Sequence, residues 1–460
     1  MNDGNEIPLR RREQNPLITS EGHALLRRIE QHQHAPKWNF KVGDRLQAGD
    51  LGEVEAYRAR VFGDVPELTA SPSAYILSNI ETQRETSFFI RERLPQGMSL
   101  EVDWAHVPTM NREDLAIRLA SIVPIDANLD RIIAYDTSGT TGHAVNIPTH
   151  PVTLAKAHAL GEFALQSYGV TPAFGPDVVA CMNVCAQHST YVFANVFSVW
   201  NQAGFAKVNL RESEWAGGRE SALRFFEDLN PLFITADPVA LTEMVRWDLP
   251  ITPAAMFSTA VTLNPGLKAH VEAYYGCPVI DWYSTTETGP IAFSAPDGRG
   301  MLTFAPDLFV EIVDADGFPV GDGDWGEITV TGGRNPYLPL LRYRTGDRGR
   351  MEAGRIIEFD GREAVYFQAH DGSTVNPVDI ARILRLHYAF VQHEFVQFAD
   401  RSCRMTIRPA PQVPLNLEHM NALLREVFGE EQALEIVLDP DLGAGSEKVT
   451  PYRSELDELS

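Results

Sequence analysis

The chain has little of what marks secreted, membrane or nucleic-acid-binding proteins. Only 4 of its 460 residues are cysteine, at positions 181, 185, 277 and 403, so no disulfide framework is expected and a reducing cytoplasm is the expected location. No apolar run reaches the roughly 18 residues of a membrane span, and the N-terminus has no apolar signal core. We therefore expect no membrane partner and no secretory leader.

Basic residues are also scarce relative to acidic ones. The chain has 39 Lys and Arg against 62 Asp and Glu, a net charge of −23, which argues against a nucleic-acid backbone as the main partner. Hydrophobic residues make up 44% and charged residues 22%, as in ordinary globular proteins. A chain of this length is long enough for two or more domains with a large buried core. We find no internal repeat.

Apolar runs alternate with amphipathic helical patterns from about residue 150 to residue 285. We expect helices at 151–169, 192–204, 220–230, 238–249 and 265–276. We expect strands at 177–184, 206–210, 232–236, 254–260 and 278–284. Such alternation predicts a parallel sheet covered on both faces, with ligands beyond the carboxyl ends of its strands.

The pattern changes after about residue 300, where short strands and Gly/Asp turns suggest an antiparallel module. A last segment, 361–460, has the helices and strands of a compact α+β unit. The predicted fold class is therefore α/β, with a large multi-layer α/β N-terminal domain (1–360) that includes the antiparallel module, plus a small C-terminal α+β domain (361–460).

Four polar stretches follow these elements. Ser138–Gly142 reads S-G-T-T-G, and its glycines and hydroxyls suit a loop that grips phosphate. A plain surface turn is the alternative, and the nucleotide P-loop pattern is absent. Asp281 begins DWYSTTETGPIAF, Asp347 lies in a Thr-Gly-Asp turn of LLRYRTGDRGR, and Lys448 lies in the polar GAGSEKVTPYRSEL.

In this order the stretches resemble motifs of the adenylate-forming superfamily, most closely its phenylacetate–CoA ligase branch. Ser138–Gly142 resembles SSGTTG, Tyr283–Glu287 resembles Y-G-x-[ST]-E, and Tyr343–Asp347 matches Y-R-T-G-D. Gly361-Arg362 matches the hinge G-R, and residues 107–115 (VPTMNREDL) resemble P-x-x-x-K-x-D-L. The match runs from about residue 105 to the end, and residues 1–100 carry no motif that we can name.

The resemblance implies that ATP and a carboxylic acid give an acyl-adenylate and pyrophosphate, after which coenzyme A displaces AMP. The implied catalytic residues are Lys448, Glu287 and Thr141, with Glu287 also the Mg²⁺ ligand. The implied nucleotide-binding residues are Ser138, Gly139, Thr140, Thr141, Gly142, Ala260, Val261, Thr262, Asp281, Trp282, Tyr283, Ser284, Thr285, Thr286, Asp347, Arg362 and Lys448. Tyr283 would stack on adenine, Asp281 would accept from its amino group, and Asp347 would take the ribose hydroxyls.

The same resemblance suggests where the acid binds and how the chain assembles. Tyr135, Phe193 and Phe197 are the candidate acid pocket. If they face the site, their aromatic character favours an aryl or arylacetic acid; simple packing against neighbouring helices is the alternative. A homodimer is favoured because branch relatives are often dimers.

Several departures from the motifs keep other interpretations open. His143 and Ala144 follow the loop where lysine is usual, Ser284 replaces glycine, and Glu363 stands near the usual hinge acid. Transfer to a carrier-protein thiol or an amine, or a catalytically inactive nucleotide-binding relative, are the alternatives. The spacing Cys181, Cys185, His188 invites a metal site, but buried core cysteines are favoured because no fourth ligand is found.

Overall fold

The computed structural model describes residues 7–63, 71–95, 97–136, 145–304, 307–360, 365–388, 390–409, 414–442 and 450–456. Four predicted features lie outside the described residues: the Ser138–Gly142 loop, the Gly361-Arg362 pair, Glu363 and Lys448. In the described part of the chain, no helix is both long enough and apolar enough to cross a bilayer.

The helices are distributed along the whole chain. In chain order they are α1 (Leu9–Gln14), α2 (Ser20–Glu30), α3 (Ala48–Gly63), α4 (Ala74–Thr86), α5 (Phe88–Arg93), α6 (Leu100–Asp103), α7 (Arg112–Ile122), α8 (Pro151–Ser167), α9 (Gly218–Leu229), α10 (Pro238–Trp247), α11 (Pro265–Tyr275), α12 (Pro377–His387) and α13 (Leu417–Phe428).

The strands begin just before the glycine-rich loop. They are β1 (Ile133–Asp136), β2 (Asn146–Thr149), β3 (Val179–Cys185), β4 (Phe193–Phe197), β5 (Ala203–Asn209), β6 (Phe233–Ala236), β7 (Ala255–Ser258), β8 (Val279–Thr285), β9 (Gly289–Ser294), β10 (Met301–Thr303), β11 (Leu308–Val313), β12 (Gly326–Gly332), β13 (Leu340–Glu352), β14 (Arg355–Asp360), β15 (Phe367–Gln368), β16 (Thr374–Val375), β17 (Phe390–Gln397), β18 (Cys403–Pro409), β19 (Leu434–Leu438) and β20 (Tyr452–Ser454).

One large mixed sheet organises the chain up to residue 360. Its strand order is β11-β12-β13-β14-β10-β9-β8-β7-β6-β3-β5-β4. Strands β5, β3, β6, β7 and β8 are parallel neighbours. From β8 onward, each neighbouring pair in the series β8-β9-β10-β14-β13-β12-β11 is antiparallel. The expected parallel sheet and antiparallel module are therefore both present, in one continuous sheet.

Capping residues start the crossover helices where the parallel strands end. Asp237 follows β6 and accepts the Ala240 amide at 2.7 Å, ahead of Pro238 at the first turn of α10. Asn264 does the same for α11, before Pro265. Short polar caps followed by proline satisfy free amides and fix the helical φ. The carboxyl ends of β6 and β7 are thereby held close to helix N-termini.

Hydrophobic clusters lie on both faces of the parallel strands. Met182 and Val184 of β3 belong to the cluster covered by α2, α9 and α10. Cys181 of the same strand faces the opposite cluster, with Leu160 of α8. Successive residues of a strand point to opposite faces, so β3 is buried on both sides, as parallel strands usually are.

The helix expected at 192–204 is wrong. Residues 193–197 form β4, which pairs antiparallel with β5 at the edge of the sheet, and a short 3-10 turn follows. The aromatic and β-branched residues of this segment favour a pleated strand. Asn201 and Gln202, at φ of 47° and 65°, reverse the chain before β5 begins.

The expected Thr-Gly-Asp turn is also wrong. Thr345, Gly346 and Asp347 lie inside β13, where the pairing to β12 shifts between Glu327 and Thr329. Gly346 has φ of +83°, a conformation that glycine adopts at little cost. The three residues therefore form a bulge, which directs Asp347 away from the regular ladder.

The last part of the chain forms separate small sheets. Strands β15 and β16 pair together, and β19-β18-β17-β20 form a four-stranded sheet packed with α12 and α13 around its own core. The Thr374 hydroxyl donates to Glu243 at 2.7 Å, and Asn376 donates to Asp237 at 3.0 Å. The large sheet ends at Asp360, while a domain boundary there stays a prediction.

Candidate active site

A polar cavity of about 390 Å³ opens beyond the carboxyl ends of β7 and β8. This is the edge at which parallel α/β sheets usually bind ligands. It brings together segments near residues 260, 285 and 347 that the sequence analysis had singled out separately. Its lining residues are Arg112, Thr259, Ala260, Val261, Thr262, Asp281, Trp282, Tyr283, Ser284, Thr285, Thr286, Glu287, Met301, Thr345, Asp347 and Phe359.

One wall of the cavity is the tight turn after β7. The Thr259 amide donates to the Ala236 carbonyl at 2.9 Å, and the Val261 amide donates to the Thr259 carbonyl at 3.0 Å. Ala260 between them has φ of 77°, which is strained for a residue with a Cβ. Strained backbone of this kind is concentrated at binding sites, consistent with the predicted role of 260–262.

Tyr283 and Asp347 form the floor between β8 and the bulge of β13. The Tyr283 hydroxyl donates to Oδ2 of Asp347 at 3.0 Å, and its ring packs on Phe359 with centroids 4.4 Å apart. Burial, followed by the charge of Asp347, raises the pKa of Tyr283 well above its ordinary value, so the phenol stays a donor. Only 6% of Tyr283 is exposed, at the cavity wall.

Glu287 is paired with a residue that received no role in the sequence analysis. Arg112 Nη1 lies 3.1 Å from Oε1 of Glu287, and the glutamate side chain is 6% exposed. Burial, and then the negative charge of Glu287, raise the pKa of Tyr343 above its ordinary value. Arg112 and Glu287 thus line one end of the cavity, and the buried phenol of Tyr343 interacts with Glu287 from outside the lining.

Backbone pairing explains how Arg112 reaches Glu287. Met110 forms an isolated bridge with Tyr343, its amide donating to Arg342 and its carbonyl accepting from Arg344. Asn111 then caps α7 in a capping box with Asp114. Arg112 stands at the lysine position of the P-x-x-x-K-x-D-L element, which is the signal that could have identified it.

Asp281 is the third residue of β8 and lines the cavity. Its amide donates to the Ser294 hydroxyl at 2.9 Å. Burial raises the pKa of its carboxyl to about 6, opposed first by the positive charge of Lys268. The pKa of Asp281 is therefore closer to neutral pH than that of an ordinary aspartate.

The candidate acid-pocket residues lie away from this cavity. Phe193 and Phe197 are on the edge strand β4, where both rings pack near Phe205. Tyr135 lies on β1, 39% exposed, directly before the loop that is outside the described residues. The cavity lining contains none of the three.

The cysteines of the possible metal motif are buried. Burial raises the pKa of Cys181 to about 12 and that of Cys185 to about 11, and the His188 amide donates to both oxygens of Asp379 at 2.8 Å. Within the described ranges, no group of three His, Cys, Asp or Glu side chains is placed to hold a metal ion.

Comparison with known proteins gives distant relatives, and no family model matches the chain. Protein CapK of Staphylococcus aureus is 21% identical over 407 residues, 84% of this chain and 83% of CapK. Acetyl-coenzyme A synthetase of Chlorobaculum tepidum is 32% identical over 108 residues, 22% of this chain and 16% of that protein.

A solved structure matches the chain over nearly its whole length. It is a 2-hydroxyisobutyryl-CoA ligase in complex with 2-HIB-AMP and CoA in its thioesterification state, with a TM-score of 0.54 and 17% identity. The match covers 92% of this chain and 97% of that one. At this identity the likeness shows a shared fold.

Proposed function

We propose that this chain, which has the adenylate-forming ligase fold expected from its motifs, activates a carboxylic acid with ATP and transfers the acyl group to coenzyme A. The observation that carries the proposal is the cavity, where three motif segments separated in sequence meet beyond β7 and β8. A fold alone would not require polar residues of all three segments to line one space.

The nucleoside would occupy the part of the cavity between 260–262, Tyr283 and Asp347. Asp347 has two acceptor oxygens for the ribose hydroxyls, and the Tyr283 hydrogen bond at 3.0 Å holds it in place. Asp281 would accept from the adenine amino group. The turn at Ala260 would cover the adenine face.

The phosphates would lie at the end of the cavity that holds Arg112 and Glu287. Ser138–Gly142, Thr141 in particular, would grip the β- and γ-phosphates, and Arg362 and Lys448 would approach from the C-terminal segment. Arg112 adds a cation whose fork suits phosphate oxygens. Positive groups aimed at charge that develops in the transition state are the main catalytic device for phosphoryl chemistry.

Magnesium fits the donors near Glu287. Mg²⁺ is usually held by one or two carboxylates together with substrate phosphates and waters. Glu287 supplies a carboxylate, and Thr285 and Thr286 line the same cavity. The ion would neutralise phosphate charge. Glu287 would then exchange its contact with Arg112, 3.1 Å away, for the ion.

The acid, acceptor and setting are finer proposals. We infer an aryl or arylacetic acid from the aromatic residues of β4, coenzyme A as the acceptor, and a cytoplasmic homodimer of the phenylacetate–CoA ligase type. We take 1–360 and 361–460 as the two domains, with rotation near Glu363 between half-reactions. A carrier-protein thiol or an amine is the competing acceptor.

An acid-dependent pyrophosphate assay tests this proposal. The protein is incubated with ATP, Mg²⁺ and single acids, aromatic and aliphatic, with and without coenzyme A. We expect pyrophosphate release with at least one acid and acyl-CoA by mass spectrometry when coenzyme A is present. Release without acyl-CoA would favour the other acceptors, and no release from any acid would contradict adenylation.

A further inference from the structure

One row of residues on the parallel sheet is more open than its surroundings. Strand pairing places Phe193, Lys207, Asn183 and Thr235 side by side across β4, β5, β3 and β6, and Phe257 of β7 comes next. The first four are partly exposed, whereas most of their strand neighbours are buried. A parallel sheet is normally covered on both faces, so the cover is incomplete along this row, which we call the cleft.

At its β7 end this row borders the cavity already described, through buried Phe257. Trp282 lines the cavity, and its ring meets the edge of Phe257 with centroids 5.2 Å apart. From Phe257 the row continues over Thr235 and Asn183 to Lys207, three strands away. With strands about 4.8 Å apart, this is about 14 Å between Cα atoms.

Polar groups line the middle of the row. The side-chain Nδ2 of Asn183 donates to the Thr235 hydroxyl at 2.8 Å. The Cys185 thiol donates to the side-chain Oδ1 of Asn183 at 3.3 Å. These contacts fix the Asn183 side chain between Thr235 and Lys207.

Lys207 is the charged residue of the row. Across the described ranges, its ammonium makes neither a hydrogen bond nor an ion pair. Its field reaches Asp237, but that carboxylate already caps Ala240 and accepts from Asn376. A partly desolvated cation without a counter-ion is unfavourable, so this position suits an anionic ligand.

Aromatic residues neighbour Lys207 in the sheet, Phe193 as its pairing partner on β4 and Phe205 two residues earlier on β5. The rings of Phe193 and Phe205 have centroids 5.8 Å apart. Phe40 and Tyr191, both more than a third exposed, extend this aromatic group toward the surface. The ring centroid of Phe40 is 6.1 Å from that of Phe193 and 4.6 Å from that of Tyr191. The cleft therefore offers an apolar wall and one cation at its far end.

We propose that the acid activated by this protein carries a second anionic group, and that Lys207 binds this group at the far end of the acid pocket. The inference rests on the proposed adenylation. Lys207 is too far along the sheet to serve the reacting carboxylate at the cavity, so it selects the substrate. A flat or extended spacer would lie between Trp282 and the rings of β4 and β5.

The test compares acids that differ only in the second charge. Pyrophosphate release is measured with terephthalate against para-toluate and with adipate against hexanoate, using the full chain and the variants Lys207→Met and Lys207→Arg. We expect the wild type to prefer the diacids. Lys207→Met should raise KM for the preferred diacid roughly tenfold to a hundredfold, with a smaller effect on kcat, and Lys207→Arg should restore most of the affinity.

Two controls separate this effect from global charge and from misfolding. Lys41→Met removes the same charge from an exposed position and should leave the preference unchanged. Thermal unfolding of each variant reports folding, and KM for neutral acids should not rise in a folded Lys207→Met protein. A preference for neutral acids, or equal diacid KM in wild type and Lys207→Met, would overturn the assignment and leave adenylation standing. No pyrophosphate from any acid would overturn adenylation and this inference together.

Discussion

The Tyr283 hydroxyl donates a hydrogen bond of 3.0 Å to Oδ2 of Asp347, a residue 64 positions later in the chain. The contact joins β8 to the bulge of β13. The bulge in turn is fixed by Thr345, whose hydroxyl donates to the Ile328 carbonyl at 2.9 Å and accepts from the Asp347 amide at 3.2 Å. Two separate motifs thereby become one preorganised surface.

Replacing Asp347 by alanine should weaken nucleotide binding. The proposed ribose contacts exist before reaction, and each charge-assisted hydrogen bond is worth about 1.5–3 kcal/mol. Calorimetric titration with ATP and AMP measures the loss. Tyr283→Phe is the matched variant: it keeps the ring and removes the hydroxyl that contacts Asp347 and Thr345, so its loss should be smaller. Unchanged affinity in Asp347→Ala would leave Asp347 a structural residue of the bulge.

Replacing Arg112 by alanine should slow pyrophosphate release by about tenfold to a hundredfold. The variant removes a cation from the phosphate end of the cavity and leaves Glu287 buried without its partner at 3.1 Å. Arg112→Lys should recover part of the rate. Arg118→Ala, on the exposed side of α7 and paired with Glu92, is the control that should behave as wild type. Equal rates for both alanine variants would exclude a role for Arg112.

Asp281 predicts a particular dependence of stability on pH. Its folded pKa of about 6 exceeds the ordinary value of 3.8, so the folded state binds the proton more tightly. The stabilising contribution of the protonated carboxyl is complete below pH 3.8 and is lost as the pH rises through about 6. The free energy of unfolding should change by about 2–3 kcal/mol over this range. Urea unfolding across this window should show the difference between wild type and Asp281→Asn shrinking or reversing as pH falls. A constant difference would place the pKa at its ordinary value.

The same carboxyl should make nucleotide binding depend on pH. Below about pH 6 the Asp281 carboxyl is increasingly protonated, and it becomes a poorer acceptor for the adenine amino group. ATP affinity should therefore fall on acidification in the wild type and change less in Asp281→Asn. Parallel pH profiles for the two proteins would remove Asp281 from the adenine site.

Much of this architecture follows from local sequence pattern. The crossover helices carry their own caps, as with Asp237 before Pro238, and β3 is apolar enough to be buried on both faces. The apolar residues around Phe193 suit either a helix or a strand, which is why the helix predicted there is wrong. Pairing with β5 makes the segment a strand. The hydrophobic pattern of one short segment does not show whether it will pair with the strand that follows it.

The candidate site was predictable where a motif supplies the side chain. Asp281, Tyr283 and Asp347 line one cavity, as their motif order suggested. The partnership of Arg112 with Glu287 depends on the backbone bridge between Met110 and Tyr343, which links residues more than 200 positions apart by their numbers. Lys207 belongs to no motif, and only its strand register places it in the cleft.

The proposed movement of the C-terminal segment predicts a separation of the two half-reactions. Glu363→Pro should fix φ near −65° and remove an amide, which would hinder rotation near this residue. Pyrophosphate from a single turnover should persist while acyl-CoA, measured by mass spectrometry, falls. Glu363→Ala is the control and should retain both. Parallel loss of both products in a folded Glu363→Pro protein would place the hinge elsewhere.

The most direct test of the central claim is acid-dependent exchange of labelled pyrophosphate into ATP by the wild type and by Lys448→Ala. Lys448 is proposed to neutralise charge in the transition state, so the variant should bind ATP normally in calorimetry yet lose nearly all exchange. We expect exchange that requires both an acid and Lys448. Exchange that is equal in the two proteins, or absent from the wild type with every acid, would contradict it.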